Sequence, residues 1–221
     1  MENDLSTALC DSISGEATSL TTELLEVGLD SVLDDGILKE VPILSTAVSL
    51  YKIGNSLKER HYVKKLASFV ATLNKGIVNE EKREYYRSKI TDNPTQSGKE
   101  LEYILLLIDR YIHSDKAKLL AKLYLAFLDG RIKWVTLSEY AEILDRFLPS
   151  DITALIEYNG SEIMLLPEQR LRLSALGLLE KTDDNSSFYV DDEGMLHHVH
   201  NVEKYLLTSF GNDLKNILLD Y

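Results

Sequence analysis

Three histidines stand almost together near the C-terminus, in HHVH at His197, His198 and His200. On a strand His198 and His200 would share a face, and Asp191, Asp192 and Glu193 precede them, so a metal ion is the chemistry these residue types would support. A tetrahedral shell needs a second cluster of ligands, and the sequence offers none. The stretch reads as a solvated wing, with metal binding by the three histidines left open. His61 and His113 stand alone and read as ordinary surface or core side chains. Asp129-Gly130, followed at a distance by Glu139, invites a calcium loop. The alternating positions before that glycine are Tyr124, Ala126 and Leu128, and neither alanine nor leucine can ligate, so the turn reads as structural. Neither a Gly-rich phosphate loop nor Gly-x-Ser-x-Gly nor His-Glu-x-x-His occurs. Cys10 is the only cysteine, which excludes an intrachain disulfide. It is expected in a mobile N-terminal segment, with no basic neighbour to activate it. The reading is a non-enzyme without a cofactor.

Charge is more informative than these motifs. The net charge is -12, but it is segregated. Residues 1–51 carry ten acidic side chains against Lys39 alone, and residues 52–89 carry ten basic side chains against four acidic ones. Lys58, Arg60, Lys64 and Lys65 belong to that basic block and form one candidate partner surface. Two helices with opposite solvated faces would explain the pattern; an anionic partner is the sharper reading. Val41 to Ile53 is apolar and runs into the same cations, an order that anionic membranes favour. A bilayer crossing needs about 20 apolar residues, and Gly54-Asn55 interrupts the run first. It reads as a buried helix, with a membrane-acting effector kept as an alternative. The start MENDLSTALCDS lacks the basic and apolar order of a secretory signal, so the cytoplasm is expected.

The elements that would position these residues are mostly helices. At 44% hydrophobic and 27% charged, the 221-residue chain has a globular composition. Leu5 to Leu33 is polar, with Leu20, Leu24, Val27 and Leu29 as its apolar positions; Gly15 weakens its early part and Asp34-Asp35-Gly36 ends it. Pro42 opens the next helix. Ser56 to Asn74 repeats Leu57, His61, Lys64/Lys65, Leu66, Phe69, Val70 and Leu73 as an amphipathic stripe, closed by Gly76. Glu80 to Ile90 is charged. TDNPTQSGKE reads as the clearest loop. Leu101, Ile104, Leu105, Ile108 and Ile112 then make one helical face. A second helix, capped by Asp115, carries Leu119, Leu120, Leu123, Phe127 and Leu128. Thr136 and Glu139 have the spacing of a capping box for a third, which buries Tyr140, Ile143, Leu144 and Phe147 and stops at Pro149. The organisation expected is a helical bundle over 1–149 and a smaller α+β module over 150–221.

In that module a helix from near Pro167 should end at Gly177 in a left-handed cap, and an antiparallel hairpin should lie between residues 179 and 208 before a closing helix. RLRLSALGLLE and YLLTSFGNDL resemble the wing-bearing half of winged-helix domains. Gln169, Arg170 and Arg172 would lie on the recognition helix. With VPILSTAVSLYKIGNSLKERHYVKKLASFV and DKAKLLAKLYLAFLDGRIKWVTLSEYAEIL, these phrases resemble a group of uncharacterised helical bacterial proteins carried on prophages and other mobile elements. The C-terminal part is similar to the abortive-infection alpha family. The resemblance implies a bacterial setting and a role in phage–host conflict, and it brings no active site with it. An interaction protein that binds another protein or itself is the first reading, and a DNA-binding regulator through the winged helix is another alternative. The acidic stretch TDDNSSFYVDDEG would be repelled by phosphates, which makes nucleic acid the poorer partner.

Overall fold

The computed structural model describes residues 2–14, 41–50, 56–77, 79–160, 165–182, 188–190, 194–198 and 204–220. The predicted apolar positions at Leu20, Leu24, Val27 and Leu29, the Asp34-Asp35-Gly36 turn and His200 lie outside them. The chain is mainly helical and divides into two compact units, Met1–Arg146 and Phe147–Asp220. The boundary falls just before the Pro149 stop read from the sequence.

In the first unit the helices are α1 (Glu2–Ser14), α2 (Pro42–Leu50), α3 (Leu57–Lys75), α4 (Glu80–Thr91), α5 (Pro94–Arg110), α6 (Ser114–Leu128) and α7 (Trp134–Arg146). The α3–α6 pair has the most extensive packing, while α1 lies against α5, α2 and α4. Ala117, Leu120, Ala121, Leu123, Tyr124, Leu125 and Ala126 are all buried, so α6 is covered nearly all round, as a central helix must be. Phe69 of α3 meets Tyr124 of α6 with ring centroids 6.1 Å apart. Ser56 starts α3 with a complete capping box alongside Glu59. Ser12 joins α1 to α2: its hydroxyl donates to the Ala8 carbonyl and accepts from Ile43 N.

Several expectations are corrected here. TDNPTQSGKE is not a loop. The Asn93 side chain accepts from Gln96 N and Pro94 takes the first helical position, so the same Asn-Pro pair that suggests a turn starts α5. No Thr136 capping box forms, because α7 begins at Trp134, whose ring is held edge-on by Tyr103 and Phe127. The cap position of α6 is His113; Asp115 sits in the first turn and pairs with Lys118. Pro149 does not merely stop a helix but starts the next one. Leu57 and Ile112 are exposed at helix ends rather than buried in their stripes. Phe127 is half-buried, and Cys10 is buried on a well-formed α1 beside Leu9 and Ile13.

The second unit contains α8 (Pro149–Glu157), α9 (Pro167–Ala175), four short strands and α10 (Ser209–Asp220). Strand β1 (Leu179–Thr182) pairs antiparallel with β4 (Lys204–Leu207), and β2 (Phe188–Val190) with β3 (Leu196–His198). Both ladders keep one register: Thr182 faces Lys204, and Phe188 faces His198. They are the base and tip of the antiparallel hairpin expected from the sequence. Gly177 has φ +73°, the left-handed conformation that ends α9. Thr208 then fastens the base. Its hydroxyl donates to the Gly177 carbonyl at 2.7 Å and accepts from Gly211 N at 2.9 Å, which caps α10.

Candidate interaction surfaces

Helix α9 begins at Pro167 because proline suits a first turn, and the Gln169 side chain secures that start by accepting from Leu166 N at 2.9 Å. The same amide donates to the Ser150 carbonyl, and Gln169 is buried. Arg170 donates through Nε to the Leu165 carbonyl and lies over the Tyr205 ring, 5.7 Å from its centroid. Arg172 grips Asp151 with two hydrogen bonds, at 2.9 and 2.5 Å. Asp151 is only 1% exposed and also accepts from Leu148 N, so this fork–fork pair joins α9 to the start of α8. The three polar residues expected to meet a partner are therefore engaged inside their own unit.

What α9 turns outward is apolar. Pro167, Leu171 and Ala175 recur every four residues on the exposed face with Glu168, and Leu166 precedes them. Leu171 is 68% exposed and Leu166 63%. Sequence reasoning missed these leucines, although one signal was available. Leu171 and Leu173 are two residues apart, so they point to nearly opposite sides of a helix and only one can face the core. Leu173 does, fully buried.

The basic block is divided in the same way. Lys65 is buried, and its Nζ donates to the Asp109 and Tyr111 carbonyls at 2.7 and 2.6 Å, where α5 ends. Burial pushes its pKa below the usual lysine value. Lys116 donates likewise to Asp145 O at the end of α7, and Lys89 to Leu128 O at the end of α6. Three helix C-termini thus end on lysine ammonium groups, which suits the negative end of each dipole. Lys58, Arg60 and Lys64 are different. Lys58 is exposed and reaches Asp109 at 3.6 Å; Arg60 is exposed and Lys64 half-buried.

The remaining candidates have structural surroundings. Asp129 accepts from the Tyr86 hydroxyl at 2.5 Å and from Lys82 at 3.3 Å, and Gly130 adopts φ +74°. His197 and His198 lie on β3. Burial raises the Cys10 thiol to about 11, which keeps it protonated at neutral pH. The apolar run from Val41 is turned inward: Val41, Ile43, Leu44 and Ala47 are buried, and no described helix is long and apolar enough to cross a membrane. A groove of about 510 Å³ between α1 and α2 is lined by Asp4, Asp11 and the hydroxyls of Thr7, Ser45, Thr46 and Ser49.

Fold and surfaces define a mainly helical protein whose C-terminal unit carries a short hairpin. No protein family, curated protein or solved structure matches the chain.

Proposed function

We propose that this chain is a non-enzymatic bacterial interaction protein whose C-terminal unit is a winged-helix-like module used to bind protein. The observation that carries the reading is the inversion of α9. Its glutamine and arginines are engaged internally, while Leu166 and Leu171 stand in water. Exposed leucines beside a lone Glu168 suit the apolar centre of a protein interface better than a phosphate backbone. The order helix, helix, hairpin, helix supports the winged-helix comparison. The phage–host setting rests on the resemblance in VPILSTAVSLYKIGNSLKERHYVKKLASFV, DKAKLLAKLYLAFLDGRIKWVTLSEYAEIL, RLRLSALGLLE and YLLTSFGNDL alone.

The test is phage plating on a host that expresses the full chain. Wild type is expected to lower plating efficiency, and Leu166→Asp/Leu171→Asp to lose that effect with an unchanged melting temperature, since neither side chain is in the core. Full protection by the double variant would remove α9 as the binding face.

A further inference from the structure

The N-terminal turns of α3 carry a second exposed face, independent of α9. Leu57, Arg60, His61 and Lys64 recur at helical spacing on the side opposite Leu66 and Leu73, which are buried. His61 donates through Nε2 to the Ile112 carbonyl at 2.7 Å, and this bond brings Ile112 beside the stripe. Leu57 is 84% exposed and Ile112 76%, the two most exposed large apolar side chains among the described residues. Lys58 flanks them, held only by a long, exposed contact to Asp109. Arg60 and Lys64 have no ion-pair partner among the described residues. Two aliphatic tips in water amid three cations make a surface with the chemistry of a membrane interface: apolar atoms for the acyl boundary, ammonium and guanidinium groups for phosphates.

We infer that this stripe docks on an anionic phospholipid surface, peripherally and reversibly. Nothing crosses the bilayer. The favoured occupant follows from the side-chain types. Single-stranded nucleic acid takes aromatic stacking platforms, and this stripe has no Phe, Tyr or Trp. The α9 leucines stand beside Glu168 with no outward cation, whereas Leu57 and Ile112 stand amid Lys58, Arg60 and Lys64, a lysine-bearing surround that the charge-poor core of a protein interface disfavours. The chain's net charge of -12 does not forbid the contact, because exposed charges beyond a Debye length of about 8 Å are largely screened at physiological salt. Local cations decide the encounter.

The experiment is co-sedimentation of the full chain with phosphatidylcholine vesicles, with and without phosphatidylglycerol. Binding is expected only when the anionic lipid is present, and it should weaken as salt rises. Each surface cation contributes roughly fivefold, so Arg60→Ala/Lys64→Ala should lower the partition coefficient on the order of thirtyfold. Leu57→Ser/Ile112→Ser should also lower it, whereas Lys99→Ala/Lys118→Ala, at exposed or half-buried lysines outside the stripe, should not. Melting curves of each variant show whether it remains folded, and a lipid effect without a stability change is the supporting result. Absent binding, equal binding to neutral vesicles, or anionic binding indifferent to the stripe variants would each overturn the inference. Oligonucleotide binding that the stripe variants abolish, without vesicle binding, would assign the face to nucleic acid instead.

Discussion

Lys64 and Lys65 are neighbours in sequence with the same side chain, yet their surroundings give them different work. Lys65 is 3% exposed and holds two carbonyls at the end of α5. Replacing it with methionine keeps the stem and most of the volume but leaves both carbonyls without that donor. A lost hydrogen bond to a charged group costs about 1.5–3 kcal/mol, so Lys65→Met should lower the urea midpoint by that much stability. Lys64→Met should stay within about 0.5 kcal/mol of wild type, as surface substitutions do. Equal midpoints for the two variants would refute the helix-end role of Lys65. A charge pattern cannot separate these residues, because the partners of Lys65 lie more than forty positions along the chain.

Some elements were legible from local signals, although the Thr136–Glu139 box and the Asp115 cap were equally local and did not form. Gly177 and Pro167 each act within a few residues, and both form where the sequence puts them. Asn93-Pro94 failed because one dipeptide serves equally as a turn and as a helix start, and only the apolar face that follows decides between them. Leu166 and Leu171 failed because a leucine is assigned to the core by default, and burial is settled by tertiary packing. The Leu-Gly-Leu and Leu-Thr-x-x-Gly phrases prove to be halves of one lock. A Cβ on Gly211 would lie 2.2 Å from the Leu178 carbonyl oxygen, a backbone atom that cannot swing aside. Gly211→Ala must push α10 off the hairpin base and should cost about 1–3 kcal/mol, as overpacking does. A wild-type midpoint for Gly211→Ala in urea unfolding, followed by a probe in the second unit, would show that this close approach does not hold the module together.

At the scale of the whole molecule, the placement of cations rather than the net charge decides which unit could meet DNA. The chain carries -12 overall with an isoelectric point near 4.9, and duplex DNA affinity comes largely from neutralising phosphates. A winged helix that reads DNA presents cations on its second helix, but the outward face of α9 offers Pro167, Glu168, Leu171 and Ala175. Arg172 could turn outward only by abandoning the buried Asp151 carboxylate, and Arg170 only by leaving Tyr205. Wild-type protein is therefore expected to bind duplex DNA no better than about 10⁻⁴ M, the weak end of non-specific affinity. Fluorescence anisotropy at low salt is the most permissive assay, because attraction is then least screened. Arg170→Ala/Arg172→Ala would be a confounded test, since Arg172→Ala strands Asp151 and should lower the melting temperature whatever its effect on DNA. The informative variable is salt, with the wild-type chain. Tight binding that falls steeply as salt rises would mean that several cations reach phosphates. If that binding survives Arg60→Ala/Lys64→Ala on α3, it would replace the protein-binding reading of the C-terminal unit with a DNA-binding one.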